Sequence, residues 1–97
     1  MVINVLDHVP QCYTGQDGAV IGSLIRDGFA RGDDVTVSFL GVDNAPSSFV
    51  NAAFVDLLDS YSFDYIRRHL LVINSSPQIN DLIRRRFSFA TSPLAAE

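Results

Sequence analysis

The side chains best placed to do chemistry lie in one stretch, residues 35–58, which reads VTVSFLGVDNAPSSFVNAAFVDLL. Ser47 and Ser48 stand side by side after Asp43, Asn44 and Pro46, and an apolar helical pattern follows. A serine at that place can cap a helix, because its hydroxyl accepts from the first unpaired amides. It can also take a phosphate, which adds roughly −1.5 to −2 charge where helix amides tolerate it. The effect of such a charge would fall on a partner's surface and not on the fold. Asp43, Asn44, Ser47 and Ser48 are therefore the candidate regulatory or docking residues.

Other reactive groups are sparse. His8 and Cys12 are four apart but have no further thiol near them, and zinc asks for about four ligands. No metal or cofactor is expected. His69 precedes an apolar run beside Arg67 and Arg68 and reads as a surface residue. Nothing in the spacing joins a serine, a histidine and a carboxylate into a triad, an arrangement known by geometry and not by order. Gly15-Gln16-Asp17-Gly18 is too short for a dinucleotide fingerprint. All seven positive charges are arginine, so there is no P-loop lysine and no Schiff-base lysine. No catalytic constellation emerges, and the chain is not expected to be an enzyme. Arg84-Arg85-Arg86 suits the C-terminal end of a helix. With Arg67 and Arg68, the residues Arg84 and Arg85 form a candidate basic patch for a partner's acidic surface, since arginine binds carboxylates bidentately. RNA binding would need exposed aromatics beside this patch, and the phenylalanines mostly fall on predicted core faces.

The elements that must position these residues follow from periodicity. Val2–Leu6 is a strand-like run. Thr14 and Asp17 fit a capping box that opens a helix to about Ala30, with Val20, Ile21, Leu24, Ile25 and Phe29 on one stripe. Gly22 marks a close contact, expected with the sheet. Gly32 supplies a stop. Val35–Leu40 is a second strand, apolar enough to be covered on both faces. Ser47 or Ser48 caps a second helix to about Ser60, whose stripe is Phe49, Val50, Ala53, Phe54, Leu57 and Leu58. Residues 61–68 form a turn or short helix, and Leu70–Asn74 is a third strand. Ser75-Ser76-Pro77 opens a third helix, with Ile79, Leu82, Ile83 and Phe87 inward and an Asp81–Arg85 pair outward. The order β-α-β-α-β-α implies an α/β domain with a small, mostly parallel sheet of three or four strands. Residues 1–87 form the single domain, and 88–97 read as a flexible tail.

Bulk properties agree. The chain has 97 residues, one domain's worth. Its hydrophobic fraction is 47% against 19% charged, which argues for a folded core and leaves apolar surface for a partner, a second copy among them. The net charge of −4 disfavours attraction to nucleic acid or anionic membrane. One cysteine excludes an internal disulfide. No basic leader precedes the first strand and no apolar run approaches about 20 residues, so a cytoplasmic protein is expected.

On these residues the chain resembles the STAS family, the anti-sigma-factor antagonist domain, in which a hydrophobic strand ends in a turn and a serine pair opens the next helix. Gly41-Val42 falls on the family's turn and Ser47-Ser48 on its serine pair. The likeness is closer to a divergent STAS-like group, through Asp17-Gly18, Val37-Ser38-Phe39-Leu40-Gly41-Val42, Ser48-Phe49-Val50-Asn51-Ala52-Ala53 and Leu71-Val72-Ile73-Asn74. It spans about residues 14–87. Pro46 replaces the acidic residue that ordinarily precedes the serine pair, and Ser38 replaces the strand's acidic residue. The resemblance implies a non-enzymatic regulatory domain that binds another protein, such as a GHKL-type ATPase or histidine kinase, and is switched at Ser47 or Ser48. A second reading, from the fold alone, is a small-ligand or nucleotide sensor at the C-terminal ends of the strands, near Asp43, Asn44 and Ser75.

Overall fold

Three runs of β-branched and leucine residues pair as strands: β1 (Val2–Asn4), β2 (Val35–Ser38) and β3 (Leu70–Ile73). A computed structural model describes residues 1–91 of the protein. The sheet has three strands in the order β1-β2-β3, all parallel. Each parallel pair needs a crossover. Two right-handed crossovers stepping in the same direction bring their helices to the same face of the sheet. The burial pattern follows: Ile3, Val35 and Val37 are buried, whereas Val2 and Leu71, one register step away, are exposed.

The helices are α1 (Val5–His8), α2 (Gly15–Ala30), α3 (Ser47–Ala53), α4 (Phe63–His69) and α5 (Pro77–Thr91), with a 3-10 turn over Val55–Asp59. The capping box at α2 forms as expected: Thr14 accepts from the Asp17 amide, and the Asp17 carboxylate accepts from the Thr14 amide. Gly32, at φ 81°, ends the helix with its neighbour's amide returned to the Gly28 carbonyl. Of the expected stripe, Ile21, Ile25 and Phe29 are buried, Leu24 packs partly and Val20 is exposed.

Gly22 makes its close contact with α3 and not with the sheet. A methyl there would lie 2.7 Å from the Ala52 carbonyl oxygen, and one on Gly18 only 2.3 Å from that of Phe49. The two helices meet backbone to backbone because glycine leaves that space.

The second helical stretch divides. Regular α-helix stops at Ala53, and the 3-10 turn takes over. With three residues per turn, Phe54 and Leu57 share one side, and both are buried. Phe39, Phe49 and Phe54 form an aromatic group at the centre of the core. Helix α5 continues through Ser88 to Thr91 instead of ending at Phe87. The rest of the expected tail, 92–97, lies outside the described residues. No helix among the described residues is long and apolar enough to cross a membrane.

Candidate functional site

Strands β1 and β2 are neighbours, so the chain leaving each emerges at the same end of the sheet. Between them lies an open cleft of about 360 Å³ lined by Leu6, Pro10, Gln11, Cys12, Tyr13, Gly41, Val42, Asp43 and Asn44. A second hollow, about 310 Å³, continues past Tyr13, Asn44, Ala45 and Pro46. Asp43 and Asn44 therefore sit where the sequence places them, at the mouth of the C-terminal end of β2. Ser75 does not line the cleft. The segment from Pro10 to Tyr13 was not anticipated. The adjacency of β1 and β2 is what brings it there, and that pairing is a tertiary fact that local pattern does not carry.

The serine pair is organised differently from expectation. Neither Ser47 nor Ser48 caps α3. Pro46, extended at φ −77° and ψ 163°, holds the cap position, and its carbonyl accepts from the Phe49 and Val50 amides. Only the side chain at the cap position reaches back to the first free amides. The serines fall inside the first turn, exposed, and among the described residues neither hydroxyl makes a hydrogen bond. Asn44 turns its carbonyl oxygen onto the Ala45 amide at 3.0 Å and so fixes the approach to the helix.

The loop carrying these residues is tied down from across the sheet. Ser76 donates to the Asp43 carbonyl at 2.7 Å and accepts from the Ile79 amide at 3.2 Å, which caps α5. The buried Ser38 hydroxyl accepts from Asn74 Nδ2 at 3.0 Å and from the Leu40 amide. Asn74 adopts φ 55°, a left-handed conformation that asparagine tolerates better than most residues.

Cys12, at the base of the cleft, is buried. Burial, with a smaller contribution from the Asp17 carboxylate, pushes its thiol up to about 11. It stays protonated at neutral pH, where a thiol is a weak nucleophile. Among the described residues no group of three histidine, cysteine or acidic side chains could hold a metal ion. His69 Nδ1 pairs with Asp34 Oδ1 at 2.6 Å, at the opposite end of the strands from the cleft.

The candidate basic patch is partly neutralised. Arg67 and Arg68 both reach Asp64, at 3.0 and 3.2 Å, and Arg85 reaches Asp81 at 2.9 Å. Arg84 is exposed and makes no ion pair among the described residues. The two helices do meet, since the Phe63 and Phe87 rings lie 5.2 Å apart. Phe63 and Phe89, which lie outside the predicted core stripes, are exposed. The guanidinium groups of Arg67 and Arg86 cover their rings at 5.9 and 5.4 Å.

Comparison with known proteins agrees with the pattern read from the strand and the serine pair. No curated protein and no solved structure matches the chain. The family model described as a STAS-like domain of unknown function (DUF4325) matches residues 17–80, from the first turn of α2 to the first turn of α5. The all-parallel three-stranded α/β fold fits that description, and the chain belongs to the STAS-like family.

Proposed function

We propose that this chain is a regulatory module that works by binding another protein and not by catalysis, in the manner of anti-sigma-factor antagonists. The docking surface is the β2–α3 loop, with Asp43, Asn44, Ser47 and Ser48 presented together. One observation carries the reading: Ser47 and Ser48 are exposed and have no structural task, because Pro46 already holds the cap. A hydroxyl that does not support the fold is available to a partner or to a modifying enzyme. The expected partner is a GHKL-type ATPase or histidine kinase, and the arginines of α4 and α5 offer it a second contact through Arg67, Arg68, Arg84 and Arg85.

The test is titration calorimetry with such an ATPase or kinase encoded beside this chain. The unaltered protein should bind. Ser47→Asp and Ser48→Asp should fold normally and bind more weakly, because an uncompensated carboxylate in a desolvated interface costs several kcal/mol. Equal affinity in both Asp variants would remove the serines from the interface, and no binding at all would remove the partner class.

The cleft supports a second reading, a small-ligand or nucleotide sensor, because about 360 Å³ lies within the range of ligand pockets. The strand order runs β1-β2-β3 without reversal, so the switch-point crevice that ligands favour in doubly wound sheets is not formed by these strands. That ranks the cleft second. A rise in thermal midpoint with a nucleoside monophosphate, reversed on dilution, would promote it.

A further inference from the structure

The cleft at the ends of β1 and β2 joins an apolar wall to an acidic rim. Leu6, Pro10 and Val42 line it beside the buried Cys12, and a protonated thiol packs like a small hydrophobe. Asp43 is exposed at the mouth, and the Tyr13 ring, 69% exposed, borders both hollows. At about 360 Å³ the cleft lies at the small end of ligand pockets.

Its charge is one-sided. No arginine and no histidine lines either hollow. The seven arginines lie on the later half of α2, directly after it, and on α4 and α5. Asp43 makes no ion pair among the described residues, and the Asp17 carboxylate is near enough to Cys12 to raise its thiol. An anion entering the cleft would meet carboxylates and no cation. The backbone on each side is held in advance: the Tyr13 amide donates to Asp17 at 3.3 Å, and the Asp43 carbonyl accepts from Ser76 at 2.7 Å. Such walls need little ordering when they bind.

We infer that the cleft takes an arginine side chain from an apolar segment of a partner protein. Its stem lies against Leu6, Cys12 and Val42, and its guanidinium sits at the rim with the Asp43 carboxylate and the Tyr13 ring. A long basic side chain divides in the same way, apolar along the stem and charged at the head. The planar guanidinium both pairs with a carboxylate and covers an aromatic face. The inference deepens the docking reading, with which it shares Asp43, by naming what the partner brings. Ser47 and Ser48 line neither hollow, so the two can be tested apart.

Amide NMR with a capped tripeptide of leucine, arginine and leucine tests it. The peptide should shift the amides of Gln11, Tyr13, Val42, Asp43 and Asn44 saturably. Its citrulline counterpart, of the same shape without the charge, should bind about fivefold more weakly or worse. Asp43→Asn and Tyr13→Ala, both at exposed positions, should keep their circular dichroism and weaken the arginine peptide by about threefold or more. Asp59→Asn, exposed and lining neither hollow, should bind like the parent. An arginine peptide that shifts none of these amides overturns the inference. So does equal affinity for the citrulline peptide or in Asp43→Asn, or an equal loss in Asp59→Asn. Adenosine monophosphate binding there as tightly as the arginine peptide overturns it too and returns the cleft to the sensor reading. Should the peptide fail while the ATPase or kinase still binds in calorimetry, the docking reading stands without the cleft.

Discussion

Pro46-Ser47-Ser48 and Ser75-Ser76-Pro77 are the same three residues in opposite order, each at the start of a helix. In the second, proline takes the first helical position and Ser76, just before it, becomes the cap and the tether to Asp43. In the first, proline takes the cap position itself, where it offers a carbonyl but no side-chain acceptor, and the serines are carried into the first turn with their hydroxyls outward. The side of the serines on which proline falls decides whether a hydroxyl holds the fold or is left on the surface. A serine pair before a helix thus has two structural meanings, and composition alone does not separate them.

The contrast can be broken most severely from below. Phe39→Ala removes the ring beneath Phe49, in the first turn of α3, and should cost about 3–5 kcal/mol. Its effect on amide exchange should be larger at the start of α3 than at the start of α5. Thermal unfolding and native-state hydrogen exchange would measure both, and an unchanged midpoint would contradict the core described above. Gly18→Ala should come next. The added methyl collides with a backbone carbonyl that cannot rotate away, and overpacking of this kind costs about 1–3 kcal/mol. Gly32→Ala would be no substitute control, because φ 81° strains any side chain there.

The smaller effects sharpen the comparison directly. Ser76→Ala loses a cap and a tether, and should lower stability by about 1–2 kcal/mol in urea titration. Ser47→Ala and Ser48→Ala lose neither, and should stay within about 0.5 kcal/mol of the parent. Equal losses at Ser48 and Ser76 would mean that the two starts are not different after all.

Much of this was legible before any coordinates. The Thr14–Asp17 box and Gly32 gave α2 its ends, because capping chemistry is local and specific. The buried aromatic positions Phe39, Phe49 and Phe54 followed from strand and helix periods. The Asp81–Arg85 pair followed from helical spacing. What local pattern could not supply was direction. Gly22 was recognisable as a close contact, but not that α3 would be what it touches. Helical spacing places Val20 on the apolar stripe, yet it lies on the exposed side of α2. The break after Ala53 carries no glycine or proline signal in residues 54–60, so periodicity reads one helix across it. The cleft needed the pairing of β1 with β2, which draws together segments some thirty residues apart. The serines were marked as the place of interest, while their relation to Pro46 needed backbone angles.

The glycine contacts between α2 and α3 have a mechanical side. Where helices meet through leucines and valines, a small displacement is absorbed by rotamers, as a tyre absorbs a stone. Gly18 and Gly22 put main chain against main chain, and main chain has no such give. Phe49, whose carbonyl meets Gly18, follows Ser48 directly in the first turn of α3, so the exposed serine pair sits beside the place where the two main chains touch. No side chain lies between the helices at those two points, so the first turn of α3 is set directly against the main chain of α2.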